Sequence, residues 1–407
     1  MEKPARRRRL VPPLRRHPWL SAVFATGLVA RAALIPITHG QDFVVWDLAS
    51  RATLAGINIY AHHPAYPGGP YTYTPLFLDL ELPMQWISLH CGIHFTIMGK
   101  LPIMAGDVLT AAVLGAAMRR QGRGDRLQAV AAGLFFLNPL VLYNGAFYGR
   151  FDSVCIGLFA LAVHLDDRSR HGGDTPTPIA GEARGRHRLP PPAGWGTAAT
   201  FGLAVAAKTF PLVILPRLLL RGRITAIRVA AAGALIVGGV SAPYLLTSPG
   251  AFLTDVTRNV GVLGGSLAWQ SVFHHVLAAS VQIRISEALL AVFVLVMVAL
   301  SRIDDLTLCA AVATLLFLVF SKVVIEQYLT WPLPFLIVLA VDRRSRAAAT
   351  LLAALTAVGM LVNPYIHPFG TEPAVMDVLL AALIVAGSLR LVLRHGAPAT
   401  ATRTAQA

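Results

Sequence analysis

The sequence predicts an all-α polytopic membrane helix bundle, on three observations. Of its 407 residues, 55% are hydrophobic and only 14% charged, with a mean hydropathy of +0.62; a soluble globule has about a quarter of its residues charged. Apolar stretches of roughly 20 residues recur with short connectors, the length of a helical crossing. They are made of Leu, Ala, Val and Ile with interspersed Gly and Pro, which suits packed transmembrane helices better than the alternating strands of a barrel.

The formal charge of +15 arises from 35 Lys plus Arg against 20 Asp plus Glu. The arginines lie in short clusters beside apolar segments, as at Arg119, Arg120, Arg123 and Arg126, at Arg217 to Arg228, and at Arg343, Arg344 and Arg346. This is the positive-inside pattern, so no nucleic-acid partner is expected. Cys91, Cys155 and Cys309 lack ligand spacing and read as small core residues, with no metal or other cofactor implied.

In chain order, residues 1–18 form a basic cytoplasmic tail and residues 19–395 a single membrane domain. Residues 19–37 are a retained start-transfer helix running outward. The stretch after it, HGQDFVVWDLASRATLAGINIYAHHPAYPGGPYTYTP, is a first outer loop over 38–75. Its PGGP centre is turn material, and LASRATLAG can form a short interfacial helix. Residues 76–92 and 101–118 are both apolar. If both crossed, the arginines of RRQGRGDR would lie outside, so one is juxtamembrane, and Glu81 and Pro83 single out the first.

Residues 127–145 cross outward and 151–165 return, joined by the tight outer turn YNGAFYGRFD. Residues 166–192 form a flexible cytoplasmic linker rich in Gly, Pro, Arg and His. The next stretch, GWGTAATFGLAVAAKTFPLVILPRLLLRGR, begins and ends beside basic residues and is interrupted by Lys208, Pro211 and Pro216. A broken or re-entrant helical pair accounts for both features. A crossing over 224–246, an outer loop over 247–282 and further spans ending at residue 391 bring the expected total to about 11 transmembrane helices. Residues 396–407 are a cytoplasmic tail. The chain shows no inverted repeat of the kind found in many transporters.

Ionisable residues in such a bundle are costly unless paired, solvated or functional, which selects Asp42, Lys100, Asp107, Arg150, Asp152, Lys208, Lys322 and Glu326. Asp42, flanked by Phe43 and Trp46, can act as a general base for a hydroxyl nucleophile or cap the following helix. Asp47 reads as that helix's first-turn acid. Lys208 can meet a phosphate or pair with Asp107, Asp152 or Glu326; Lys100 reads as paired. Lys322, Arg150 and Arg258 are further cations for a phosphate oxygen, since two or three such groups stabilise a departing phosphate. Tyr60, Tyr66, Tyr71, Tyr73 and Trp269 suit an interfacial belt or the walls of a sugar and lipid site. No Walker, Rossmann, HExxH or nucleophile-elbow motif occurs.

The stretches QDFVVWDLASRATLAGINIY with PYTYTPL, GKLPIMAGDVL, LNPLVLYNGAFYGRFDS, GLAVAAKTFPLVILP and FSKVVIEQYLTWPLPF stand in one order between about residues 41 and 335. On these the chain resembles the GT-C glycosyltransferases that use polyprenyl-phosphate sugars. The likeness is to the GPI mannosyltransferase I catalytic subunit and to bacterial phosphatidylinositol mannoside mannosyltransferases. The resemblance implies a GT-C bundle with Asp42 as catalytic base in the first outer loop. It places Lys208, Lys322 and Arg150 at the donor phosphate, and Arg258 is added to them as an outer cation from the residues alone. Tyr60, Tyr71, Tyr73, Lys100, Asp107, Asp152, Trp269, His274, Gln327 and Tyr328 become substrate-binding or supporting residues. Gly40 replaces the first acid of an Asp-x-Asp pair, so no metal is expected, and Arg150 replaces a common Gln.

The implied function is transfer of mannose from a polyprenyl-phosphate donor to a glycolipid or related lipid-linked acceptor, with inversion to an α-mannoside. The site would face the extracytoplasmic side of the cell membrane, among membrane lipids. The alternatives are transfer of another polyprenyl-phosphate sugar, such as arabinofuranose or glucose, a lipid or polyol transporter, and a non-catalytic assembly subunit.

Overall fold

The computed structural model describes residues 17–62, 70–171, 194–258, 276–362 and 374–395. In these the fold is a bundle of helices: α1 (Pro18–Leu34), α2 (Gln41–Leu54), α3 (Leu76–Cys91), α4 (Leu101–Arg120), α5 (Asp125–Phe136), α6 (Asp152–His171), α7 (Trp195–Ala207), α8 (Arg223–Thr247), α9 (Pro249–Thr257), α10 (Ala279–Leu300), α11 (Leu306–Phe320), α12 (Leu333–Val341), α13 (Arg346–Leu361) and α14 (Ala374–His395).

Four of the described helical stretches are long and apolar enough to cross a membrane: 95–120, 223–247, 279–300 and 376–395. A fifth candidate is α5 continued by 139–148, bent by 49°. The remaining apolar helices, α1, α7, α11 and α13 among them, have 10–17 residues. About 11 full crossings were expected; by length and composition the described helices supply four or five. The difference has a physical origin. Hydropathy registers an apolar run whether or not one helix spans it, and several runs here are broken by Pro, Gly or a buried charge. Of the two neighbouring apolar stretches, only the one containing α4 qualifies as a span, whereas α3 carries Pro83 inside it and buries Glu81 and Gln85.

The breaks have local causes. Helix α5 ends at Phe136, the Asn138 side chain caps the following turn by accepting from the Leu140 N–H at 3.0 Å, and Pro139 takes the first position of that turn, where its missing N–H costs nothing. Residues Tyr143–Tyr148 then form a π-helix, closed by Gly149 in the left-handed region at φ 85°. Helix α7 stops at Lys208, whose backbone is extended, and a 3-10 turn over Phe210–Ile214 follows. This is the broken helical pair that the sequence predicts.

Close packing is achieved with small residues. A Cβ on Gly106 of α4 would lie 2.4 Å from the Ser153 carbonyl oxygen, and one on Gly157 of α6 would lie 2.7 Å from the Gly106 oxygen. Backbone-to-backbone contact of this kind is how helices associate where water supplies no hydrophobic drive.

The ends of α4 differ in character. Its 20 residues span about 30 Å. At the Arg120 end, arginines pair between segments: Arg120 with Asp167, Arg221 with Asp166, Arg343 with Asp305 and, at 2.9 Å, Arg123 with Asp342. Midway, Arg31 of α1 and Asp107 of α4, both 0% exposed, form a buried pair at 2.8 Å. The Arg31 guanidinium also donates to the Phe136 carbonyl at 2.7 Å and lies 3.7 Å over the Phe136 ring.

Candidate active site

A further group of charges lies toward the Lys100 end of α4. Asp42 lies in the first turn of α2, which begins at Gln41. The helix expected from LASRATLAG therefore starts earlier and contains Asp42. Gly40, its N-cap, donates its N–H to the Tyr148 carbonyl at 2.7 Å, and a Cβ there would strike the Tyr148 ring. This contact holds the start of α2 against the π-helix, so Asp42 faces the residue after Gly149.

That residue is Arg150. Its backbone N–H donates to the Asn144 carbonyl at 2.7 Å. Its guanidinium is ion-paired with Asp42 through Nη1 and reaches Glu326 Oε1 through Nη2 at 3.5 Å, with the Tyr148 ring 4.5 Å beneath it. The Asp42 side chain is 38% exposed, against 11% for Arg150 and 5% for Glu326. The acid is thus the accessible member of the group.

A second pair lies deeper. Lys208 Nζ donates to both Asp152 oxygens at 2.9 and 3.0 Å, and Trp331 Nε1 donates to Asp152 Oδ1 at 2.6 Å. The Lys208 ammonium is 4.9–5.9 Å from the ring centres of Tyr328, Phe151, Trp331 and Tyr73. These rings are locked together, with Phe210 and Tyr328 each stacked on Trp331 at 4.0 Å. A cation in this cage keeps its charge through Asp152 and through the ring faces. Of the pairings open to Lys208 in the sequence, the one formed is with Asp152.

Gln327 is buried in the 3-10 turn Glu326–Thr330 and its Oε1 has no hydrogen-bond partner. Lys322, in the connector after α11, feels the Glu287 carboxylate, while burial pulls its ammonium below the ordinary lysine range. Arg258, just past α9, is exposed. Tyr60 is fully buried, donates to the Tyr73 carbonyl at 2.7 Å and packs on Tyr71, Tyr244 and Phe252. Tyr71 is 1% exposed. Asp47 pairs with Arg51 at 2.7 Å along α2, and Asp107 pairs with Arg31 as described. Lys100 finds backbone carbonyls and not a carboxylate partner. Trp269, His274 and Tyr66 lie outside the described residues.

Two residues joined to these charges carry no expectation in the sequence, Trp331 as donor to Asp152 and Arg31 as partner of Asp107, and Glu326, singled out there as an ionisable residue and a possible partner of Lys208, pairs instead with Arg150. Arg31 is detectable in principle as a charge in apolar surroundings. Trp331 gives no such signal. Among the described residues no cluster of His, Cys, Asp or Glu is arranged to hold a metal ion.

The fold has solved counterparts. ArnT from Cupriavidus metallidurans in the apo state superposes with a TM-score of 0.51 at 14% identity, over 93% of this chain and 78% of that one. The same protein bound to undecaprenyl phosphate gives 0.54 at 17% identity, over 93% and 73%. The architecture is that of a multi-pass membrane bundle of GT-C type. Residues 71–321 match glycosyltransferase family 87, and the chain belongs to that family.

Proposed function

We propose that this protein transfers a sugar from a polyprenyl-phosphate carrier to a glycolipid or other lipid-linked acceptor, at the extracytoplasmic face, with Asp42 as general base. The observation that carries the reading is the contact of an accessible carboxylate, Asp42, with a buried guanidinium, Arg150, at the bundle end that also holds Lys208. An acceptor hydroxyl gives its proton to Asp42 as its oxygen attacks the sugar C1. The bond from C1 to the phosphate oxygen breaks, and its electron pair leaves with the polyprenyl phosphate, where cations stabilise it.

The charges impose an order. Asp42, Asp152 and Glu326 face Arg150 and Lys208, a formal balance of −1, so an incoming phosphate must draw Arg150 away from Asp42. Donor binding and release of the base are then one exchange, and Lys322 is the further cation that can approach. Bidentate guanidinium recognition of phosphate makes the exchange favourable.

The motif resemblance points to mannose and an α-linkage formed with inversion. The likeness to an enzyme solved with undecaprenyl phosphate speaks for the lipid carrier and not for the sugar. It therefore favours the broader reading, in which arabinofuranose or glucose carriers stand beside mannose. The test is transfer by purified protein in nanodiscs from labelled polyprenyl-phosphate mannose, arabinofuranose and glucose to a panel of glycolipids. Transfer from one carrier, lost in Asp42→Asn, is the expected result. No transfer from any carrier would overturn the reading, and full turnover by a folded Asp42→Asn would overturn the base assignment.

A further inference from the structure

Lys100, at the start of α4, is 0% exposed, yet its hydrogen bonds go only to uncharged groups. Its ammonium donates to the carbonyls of Ile35 and Thr38 at 2.9 and 2.5 Å and of Ala146 and Phe147 at 2.9 and 2.8 Å. An ammonium has three protons, so four carbonyls surround it much as they would a desolvated metal cation. Burying a charge at such a place is costly, and its partners show what the charge accomplishes. The first two carbonyls belong to the connector from α1 that leads into Asp42, and the other two to the π-helix that leads into Arg150.

These two segments touch around the same point. Gly40 donates to the Tyr148 carbonyl at 2.7 Å. A Cβ on Gly149 would meet Phe43 at 2.8 Å and Lys100 Cε at 3.2 Å. The carbonyls at a helix C-terminus carry partial negative charge, and those of the first segment would repel those of the π-helix if nothing lay between them.

We propose that Lys100 is a positioning residue for the transfer reaction, a built-in cation that fixes the backbone separation of Asp42 and Arg150 without touching substrate. The proposal rests on the function proposed above for its kinetic consequence, but the clamp itself does not. Truncation in Lys100→Ala removes the equivalent of n-propylammonium and leaves the carbonyl cage open to that ion. Lys100→Met fills the space without the charge.

The experiment measures turnover and backbone amide exchange on both variants in nanodiscs, with and without n-propylammonium. Misplacement of reacting groups by about 1 Å costs about 100-fold, so kcat is expected to fall by about that factor in both variants. The donor KM is expected to stay within about threefold. Exchange at Gly40, whose N–H bridges the two clamped segments, and at Arg150, whose N–H closes the end of the π-helix on Asn144, should accelerate. Added n-propylammonium should restore both exchange and kcat in Lys100→Ala and neither in Lys100→Met. Unchanged exchange at Gly40 and Arg150 would overturn the clamp. Exchange restored without kcat, or a loss confined to donor KM, would overturn the positioning role. If wild-type protein transfers no sugar from any carrier, the functional reading fails, and the exchange result alone decides whether the clamp exists.

Discussion

Asp42 and Arg150, 108 residues apart in the chain, are ion-paired in the fold, and Glu326 waits on the other side of the same guanidinium. One cation is thereby shared by an accessible acid and a buried one. The arrangement is poised for exchange, because the guanidinium can leave Asp42 without abandoning its buried partner.

Asp42→Asn keeps the shape and can still accept from Arg150 but cannot take a proton. Turnover is expected to fall by about 100- to 10,000-fold, with the donor KM little changed. Steady-state kinetics with the active carrier separate the two parameters, and a loss confined to KM would make Asp42 a binding residue.

Arg150→Gln removes the shared cation and leaves Glu326, 5% exposed, without its guanidinium. Stability should drop by about 1–3 kcal/mol, and the donor KM should rise. Combining it with Glu326→Gln should return most of the stability but not the KM. Thermal unfolding in detergent alongside kinetics checks both halves.

Asp152→Asn keeps an acceptor for the Trp331 indole and releases Lys208 from its counter-charge. Donor binding should tighten and stability should fall, since a buried cation left unpaired costs about 3–5 kcal/mol. Lys208→Met should move donor affinity the other way. Isothermal titration with polyprenyl phosphate distinguishes these outcomes, and weaker binding in Asp152→Asn would remove Lys208 from the phosphate site.

Arg31→Leu and Asp107→Leu should each destabilise by about 3–5 kcal/mol, because each strands a fully buried charge, whereas the double variant should lie much closer to wild type. Unfolding midpoints of the four proteins close the double-mutant cycle.

Burial lowers the Lys322 ammonium from its ordinary value of 10.5, with Glu287 opposing. The lysine therefore becomes neutral at a lower pH than an exposed one does. If it serves the donor phosphate, the donor KM should rise on the alkaline side before pH 10.5. Lys322→Arg should shift that limb upward, and Lys322→Gln should abolish it. A KM profile that is the same in all three would exclude the role.

What the sequence reveals, and what it hides, follows from where the physical signal resides. The break at Lys208 is legible because a lysine and two prolines interrupt an apolar run. Asp42 is legible because a carboxylate follows a span. The partners of these residues are not, since the pairings of Asp42 with Arg150 and of Lys208 with Asp152 bridge distant segments and depend on packing. The cage around Lys100 leaves no trace at all, because backbone carbonyls are the same in every residue. The expected number of crossings and the four or five long apolar helices among the described residues differ for a related reason: apolar composition reports preference for lipid, while helix continuity depends on single residues such as Asn138 and Pro139.

The π-helix over Tyr143–Tyr148 also has a consequence for how this turn tolerates changes in length. A π-turn accommodates one residue more than an α-turn, so a single deletion within it can relax to ordinary α-helix without breaking the helix. Because the extra residue is taken up within the turn, such a deletion would leave what lies beyond it close to its original register. Arg150 would then stay close to Asp42 and the bundle would remain intact. A one-residue deletion within this turn should therefore leave the acid and its cation paired, whereas one inside a regular α-helix turns everything beyond it by about 100°.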